Sequence, residues 1–331
     1  MSAFSVSALP PIFIAGPTAA GKSAVAVILA DLCHGEIISV DSMQVYRGLD
    51  IGTAKPSLAD RRRVPHHLID VVELTGTFDA AKFVLLARRA LSEIQARGRQ
   101  AIFCGGTGLY FKAFLEGLGE TPPADAALRA QLEATPLPEL LRELAERDPV
   151  TFQKIDRQNP RRIIRAVEVI RQTARPMSEQ IAPWQEAHAG AANATVLPKA
   201  TAGFLLGLTR SPDDLRRRIE TRVDEMFERG LVQETERLLP QGLAQNRTAL
   251  QALGYRQVTE YLQGVRSLPE TIALVKQRTR QFAKRQKTWF KWQMKLTWLE
   301  LQPHDNPEAV AERVARSCGP GADGYIGGTR F

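Results

Sequence analysis

The sequence predicts an α/β protein: a parallel sheet flanked by helices, with an all-helical insertion and basic helices toward the C-terminus. Three observations predict it. In the first 120 residues, short apolar runs end abruptly at glycine or aspartate, stretches of helical periodicity alternate with those runs, and beyond Thr121 the strand signal stops until about Arg175. Buried strands bounded by glycines and separated by helices imply parallel pairing.

Ile12 to Ala15 is the first predicted strand and ends at Gly16. Ser23 to Leu32 is helical in pattern. Ile37 to Val40 is a second strand, stopped by Asp41. Phe78 to Arg97 reads as a long helix, with Ala81, Val84, Leu85, Ala90 and Leu91 among its apolar positions. Ala101 to Cys104 is a third strand, ending at Gly105-Gly106. Phe204 to Leu208 returns the chain to the sheet, and helices are expected over Pro212–Gly230, Leu231–Leu239 and from Pro269 to about Trp292. Four segments follow: 1–120 and 201–315 as the two parts of a core, 121–200 as a helical insertion, and 316–331 as a disordered tail. The Ala- and Thr-rich stretch 188–203 reads as a linker or mobile loop.

Apolar residues make up 44% of the chain and charged residues 24%, as in a soluble globular protein. The net charge of +8 and pI of about 9.6 suggest a polyanionic partner. Cys33, Cys104 and Cys318 form no C-x-x-C pair, which argues against a zinc finger or a disulfide framework and for reduced thiols. No signal peptide or membrane span is legible, so a cytoplasmic location is expected.

Gly16-Pro17-Thr18-Ala19-Ala20-Gly21-Lys22-Ser23 fits G-x-x-x-x-G-K-[ST] between a strand and a helix. The glycines let backbone N–H groups turn toward phosphate oxygens, and the helix N-terminus adds its positive end. Lys22 supplies a point charge and Ser23 a hydroxyl for Mg²⁺. The fold class is thereby narrowed to a P-loop NTPase-like sheet. The loop implies phosphate binding, nucleotide such as ATP included, without choosing the ligand.

Asp41 emerges from the second strand, where ligand crevices of open α/β sheets lie. It is either a reaction-centre carboxylate or a turn cap. Gly105-Gly106-Thr107-Gly108 closes another strand, and a Gly-rich turn with a hydroxyl can approach a phosphate. ATP-hydrolysing proteins often place an acidic residue at such a strand end to order Mg²⁺. Glycine there weakens that reading.

Three helices are basic. Asn159-Pro160 opens one with a cap and a proline at its first position, followed by Arg161, Arg162, Arg165 and Arg171. In the second, Leu215, Ile219, Val223, Met226 and Phe227 share a face, and Arg222 lies about 60° from its centre. Arg222 is either a phosphate ligand or an ion-paired, snorkelling side chain. The third runs from Lys276 to Lys291 with seven basic residues, no acidic one, and Phe282, Trp289 and Phe290 among them. Unbalanced charge with aromatics suits backbone contact and stacking on a nucleic acid.

Together these residues resemble the tRNA dimethylallyltransferases, or tRNA isopentenyltransferases. The similarity covers Gly16–Ser23, the run from Asp41 to Pro56 (DSMQVYRGLDIGTAKP), Pro65-His66-His67, Gly105–Tyr110, Asn159–Arg162, Gly254–Gln257 and Lys284–Trp289. The long Asp41–Pro56 run is far more specific than the loop. The resemblance implies transfer of a dimethylallyl group from dimethylallyl diphosphate to N6 of adenosine-37, next to the anticodon.

It also implies roles. Asp41 resembles the general base, and Thr107 and Arg222 the catalytic ligands on the leaving-group side. Gly16, Pro17, Thr18, Ala19, Ala20, Gly21, Lys22 and Ser23 resemble the diphosphate cradle, with Mg²⁺ near Ser23. Contacts to the tRNA anticodon stem-loop are implied for Asp41, Ser42, Met43, Gln44, Thr107 and Arg129, and for Gln158, Asn159, Pro160, Arg161 and Arg162 of the insertion. Further contacts are implied for Gln251, Ala252, Leu253, Gly254, Tyr255 and Arg256, and for Lys284, Arg285, Gln286, Lys287, Thr288, Trp289, Phe290 and Lys291. A monomer is expected. Ala20 stands where serine is frequent, a change the backbone contacts should survive. Two other readings fit less of the chain: a P-loop kinase leaves the basic aromatic helices unexplained, and a non-enzymatic, nucleotide-sensing RNA-binding protein leaves Asp41 and the Gly105–Gly108 turn without a task.

Overall fold

A computed structural model of the protein describes residues 9–118, 121–180 and 203–318. Two compact units divide the chain: Met1–Phe114 with Leu197–Phe331, and Leu115–Val196.

The first unit is built on a six-stranded, all-parallel sheet in the order β3-β2-β4-β1-β5-β6. The strands are β1 (Ile12–Ala15), β2 (Gly35–Val40), β3 (His66–His67), β4 (Gln100–Gly105), β5 (Phe204–Arg210) and β6 (Thr297–Leu301). β1, β2 and β4 are buried along their whole length, which is why they are mostly apolar without alternation, the buried polar Glu36, Ser39 and Gln100 excepted. β1 lies between β4 and β5, so the loops leaving β1, β2 and β4 open at one edge of the sheet.

Between strands come α1 (Lys22–Leu32), α2 (Leu58–Arg63), α3 (Ala80–Ala96) and α4 (Gly108–Glu116). After β5 follow α10 (Pro212–Glu228), α11 (Leu231–Leu238), α12 (Tyr255–Leu262), α13 (Leu268–Gln293) and, after β6, α14 (Pro307–Cys318). The main core joins β1, β4 and β5 to α1 and α14 through Ile14, Val25, Leu29, Ile102, Leu206, Leu208 and Val310. On the other face Phe13 stacks on Phe103 at 4.8 Å, and Phe111 meets Phe290 of α13 edge-on at 5.9 Å. A third cluster packs Ala19 of the phosphate loop against Leu215, Ile219 and Val223 of α10 and Val275 and Ala283 of α13. The apolar stripe read from α10 is therefore what carries that helix to the loop.

The second unit is helical: α5 (Ala126–Ala134), α6 (Leu137–Arg147), α7 (Pro149–Lys154), α8 (Pro160–Thr173) and α9 (Met177–Gln180). Its core is Leu132, Leu140, Leu144, Ile163, Ala166, Val167 and Ile170. Asn159 caps α8 by accepting from the Arg162 amide at 3.4 Å. Glu168 of α8 is fully buried and held by Arg129 at 2.6 Å and Arg165 at 2.7 Å.

Several elements differ from expectation. β3 and β6 carry no strand prediction. β3 has two residues, too few for a periodic signal, and β6 is an edge strand with half-exposed side chains. α2, α4, α12 and α14 likewise have no counterpart among the helices expected from the sequence. α14 runs through residues 316–318 of the expected disordered tail. The rest of that tail, 319–331, and nearly all of the 188–203 linker lie outside the described residues.

Candidate active site

The phosphate loop joins β1 to α1. Gly16 has φ 138°, and a Cβ there would sit 2.2 Å from the Leu208 carbonyl oxygen of β5. No other residue fits that conformation and that approach. The loop's carbonyls are held by cations: Lys22 Nζ donates to Pro17 O at 2.7 Å, Arg218 Nε to Ala19 O at 2.9 Å, and Arg210 Nε to Ala20 O at 3.0 Å. With these carbonyls held and the Thr18 amide donated to Gln286 Oε1 at 2.8 Å, the α1 N-terminus is the part of the loop placed to meet an anion.

Lys22 is buried. Burial, with the Arg222 guanidinium nearby, pulls its ammonium down to about 8, against the opposing influence of Cys104 and Asp41. Arg222 is half-buried, and burial lowers it from the usual arginine range. It donates from Nη1 to Thr18 Oγ1 at 3.3 Å. A guanidinium held at the loop by so few contacts favours an anionic ligand. Arg222 thus reaches the loop itself, where a phosphate ligand would have to stand.

Asp41 sits at the end of β2. Its Oδ1 accepts from the Met43 amide at 2.8 Å and the Gln44 amide at 3.2 Å, so it does cap a turn. Its other oxygen is left to a second task. Burial pushes the carboxyl above the usual carboxylate range, while those two amides, Lys22 and Lys55 oppose the rise. The two readings of Asp41 are thus compatible in one side chain.

The ends of β2 and β4 are knitted together. The Gly106 and Thr107 amides donate to Val40 O at 3.2 and 3.1 Å. Thr107 Oγ1 accepts from the Ser42 amide at 3.1 Å. Asp41, Thr107, Lys22 and Arg222 are therefore brought together at the carboxyl edge of the sheet.

Other residues from the expected nucleic-acid contacts divide into outward and inward groups. Gln158, Pro160, Arg161 and Arg162 are exposed in the helical unit, with Asn159 serving as its helix cap. Lys284, Arg285, Thr288 and Lys291 are exposed on α13, and Lys287 and Trp289 half-exposed. Gln251 and Arg256 are exposed, and Ser42, Met43 and Leu253 half-buried.

The inward group is committed within the protein. Ala252, Gly254, Tyr255, Gln286 and Phe290 are buried. Tyr255 accepts from the Gly52 amide at 3.1 Å and donates to Glu234 at 2.5 Å, while Glu234 also accepts from the Ile51 amide at 3.0 Å. Gln44 has both ends of its amide occupied: Oε1 accepts from Ser39 Oγ at 2.9 Å, and Nε2 donates to Thr53 O at 3.1 Å. Arg129 is engaged with the buried Glu168 carboxylate. Tyr255, Glu234 and Gln44 shape the loops of the first unit from behind, while Arg129 serves the core of the helical unit. A buried polar group already satisfied has no free capacity for a partner outside.

Arg218 and Arg210 also hold the phosphate loop and are not among the residues expected from the sequence. Arg218 stands four residues before Arg222, one helical turn away, and that spacing was a usable signal. Arg210 is a buried strand-end residue paired with Asp214 at 2.8 Å, and nothing local announces it.

Among the described residues, no group of three or more His, Cys, Asp or Glu side chains is placed to hold a metal. A cation here would need oxygens from a bound diphosphate and from water, with the exposed Ser23 hydroxyl as protein ligand, a donor set that suits Mg²⁺.

The chain is similar to known proteins over most of its length. The family model described as IPP transferase matches residues 44–293. A tRNA dimethylallyltransferase of Geobacter metallireducens is 44% identical over 293 residues, covering 87% of this chain and 92% of that protein. A tRNA dimethylallyltransferase of Thermomicrobium roseum is 42% identical over 93% of this chain and 91% of its own. The crystal structure of the full-length tRNA isopentenylpyrophosphate transferase of Bacillus halodurans aligns with a TM-score of 0.66 at 35% identity, covering 94% of this chain and 97% of that one. The structure of a eukaryotic dimethylallyltransferase acting on tRNA aligns with a TM-score of 0.73 at 28% identity, covering 88% and 73%. The phosphate loop and Asp41 thus sit at the head of a chain that belongs to the tRNA dimethylallyltransferase (IPP transferase) family and is a transferase.

Proposed function

We propose that this protein transfers a dimethylallyl group from dimethylallyl diphosphate to N6 of adenosine-37 in tRNA, next to the anticodon, releasing diphosphate. The observation that carries this is the placement of one ionisable carboxylate, Asp41, beside an anion loop armed with Lys22 and Arg222. A base and a leaving-group grip at one sheet edge suit alkyl transfer from a diphosphate to a weak nucleophile.

The loop amides, Lys22 and Arg222 stabilise charge developing on the leaving diphosphate. Thr107 joins them on the leaving-group side. Ser23 would hold a Mg²⁺ ion, which would supply further charge neutralisation to the leaving diphosphate. The adenine amine is a poor nucleophile because its lone pair is delocalised into the ring. Asp41 accepts an N6 proton at the oxygen not used by the Met43 and Gln44 amides. Its raised proton affinity makes it a better base than an exposed aspartate. The base must leave its stack to reach this carboxylate.

The exposed arginines of α8 and the outer face of α13 supply sequence-independent contacts to RNA phosphates. Single-stranded anticodon loops are favoured targets, since their bases can be splayed and stacked. No helix of the described residues is long and apolar enough to cross a membrane. The three cysteines are unpaired, which suits a reducing cytoplasm, and the chain is taken to act as a monomer.

The test is direct. Purified protein is incubated with unmodified tRNA, Mg²⁺ and labelled dimethylallyl diphosphate. Label on adenosine-37 is expected. Consumption of ATP with no label on tRNA would favour a kinase instead.

A further inference from the structure

Gln286 belongs to the basic, aromatic stretch of α13, yet it faces the opposite way from its charged neighbours. Only 8% of its surface is exposed. Its Oε1 accepts from the Thr18 amide of the phosphate loop at 2.8 Å. Its Nε2 donates to the Gly106 carbonyl at 2.9 Å. One side chain thus bridges the loop after β1 and the turn after β4. A Cβ on Gly106 would lie 2.4 Å from that Nε2, and a Cβ on Gly108 would lie 2.1 Å from the Trp289 ring. The glycine turn therefore lets α13 approach closely enough for the bridge.

The two atoms that Gln286 holds flank the site. Thr18 also receives Arg222, and Gly106 immediately precedes Thr107, whose hydroxyl meets Ser42 beside Asp41. Fixing Thr18 against Gly106 fixes the diphosphate grip against the turn that carries Thr107. Only an uncharged amide does both tasks, since one end must accept from N–H and the other must donate to C=O. Glutamate would keep the first and lose the second.

We propose that Gln286 is a positioning residue: it sets the spacing between the phosphate loop and the Gly105–Gly108 turn, so its loss weakens diphosphate binding and leaves RNA affinity unchanged. This rests on the reading of Gly16–Ser23 as a diphosphate loop. The exposed residues of α13 face RNA, and Gln286 carries the inner face of the same helix to the loop.

The experiment measures two affinities separately. Inorganic pyrophosphate with Mg²⁺ is titrated by calorimetry, and an anticodon stem-loop RNA by fluorescence anisotropy, for wild type, Gln286→Glu and Gln286→Leu. Both variants are expected to bind pyrophosphate about tenfold or more weakly, with RNA affinity within about twofold. In turnover, KM for dimethylallyl diphosphate rises while KM for tRNA does not. Thermal melting is recorded alongside, and Gln286→Glu stands in should the leucine variant fail to fold. Folded variants with unchanged pyrophosphate affinity and only a lowered Tm overturn the inference. So does a loss confined to RNA affinity, which would make Gln286 an RNA contact. Wild type that binds no pyrophosphate overturns the loop's ligand and this inference together. Binding by wild type with unaltered variants overturns this inference alone.

Discussion

The Lys22 ammonium at the start of α1 and the Asp41 carboxyl at the end of β2 attract each other electrostatically, and each counters the burial that pushes the other toward its neutral form. Burial wins for both. The lysine is pulled down to about 8 and the aspartate lies above the usual carboxylate range. The proposed chemistry needs the opposite states, an ammonium to hold diphosphate and a carboxylate to take a proton.

A bell-shaped dependence of kcat/KM on pH follows, because that ratio reports groups in the free enzyme. On the acid side, activity falls as Asp41 takes a proton, at a higher pH than for an ordinary carboxylate. On the basic side, it falls as Lys22 loses its proton through about pH 8. Bound diphosphate adds negative charge beside Lys22, so the basic limb of kcat should lie at higher pH than that of kcat/KM. Steady-state rates across the pH range check both limbs; a basic limb in kcat/KM that persists unchanged in Lys22→Arg would assign it elsewhere.

Asp41→Asn keeps the side-chain oxygen that caps the Met43–Gln44 turn and removes the base. It should lower kcat by about 10²–10⁴-fold while KM for tRNA changes only a few-fold. Single-turnover rates with saturating RNA separate the chemical step from binding. Full activity in this variant would leave Asp41 as a turn cap alone.

Arg222→Ala removes a guanidinium from the leaving-group side. A loss of about 10²–10³-fold in the chemical rate is expected, with weaker pyrophosphate binding. The Asp41→Asn variant should retain pyrophosphate binding, so the two can be told apart by calorimetry. Unaltered rate and affinity would rule out contact between Arg222 and diphosphate.

Tyr255→Phe tests the scaffold behind the site. The hydroxyl receives the Gly52 amide and meets the Glu234 carboxyl, and both partners lose a bond when it goes. Destabilisation of about 1–3 kcal/mol is expected from leaving those buried groups short of a partner. Burial raises Glu234, against the Tyr255 hydroxyl and the Ile51 amide, so the folded protein holds its proton more tightly than the unfolded chain does. Its contribution to stability is present below the ordinary glutamate range and lost as pH rises through the raised value. Glu234→Gln should flatten that part of the stability profile, as read by denaturant melts at several pH values.

Arg161→Ala and Arg162→Ala address the exposed start of α8. If each meets a phosphate, each weakens RNA binding uniformly across sequences and reduces the slope of log K against log salt by about 0.7. Anisotropy titrations over a salt series measure the slope. An unchanged slope in the double variant would place the RNA elsewhere.

Several features of the fold and site are visible in local sequence. The strands β1, β2 and β4 carry apolar residues on both faces because helices cover both sides of the sheet, and that burial leaves short apolar runs such as Ile12–Ala15 and Ala101–Cys104. The phosphate loop is equally visible, because its glycines and Lys22 must be adjacent in the chain. α8 announces itself through Asn159 and Pro160, and α10 through the spacing of Leu215, Ile219 and Val223. By contrast β6 is an edge strand with half-exposed faces, and no periodicity marked it. The inward and outward residues of α13 could not be sorted from charge alone, since Gln286 lies between Arg285 and Lys287 in the chain.

By itself the sequence determined a parallel α/β core, a phosphate loop, a helical insertion and a basic C-terminal region, all consequences of interactions between near neighbours. Only the tertiary structure decided that Gln286 serves the phosphate loop and Tyr255 the Gly52 turn. Their partners lie 268 and 203 residues away, and a hydrogen bond over such distances depends on how helices pack, which no local pattern encodes.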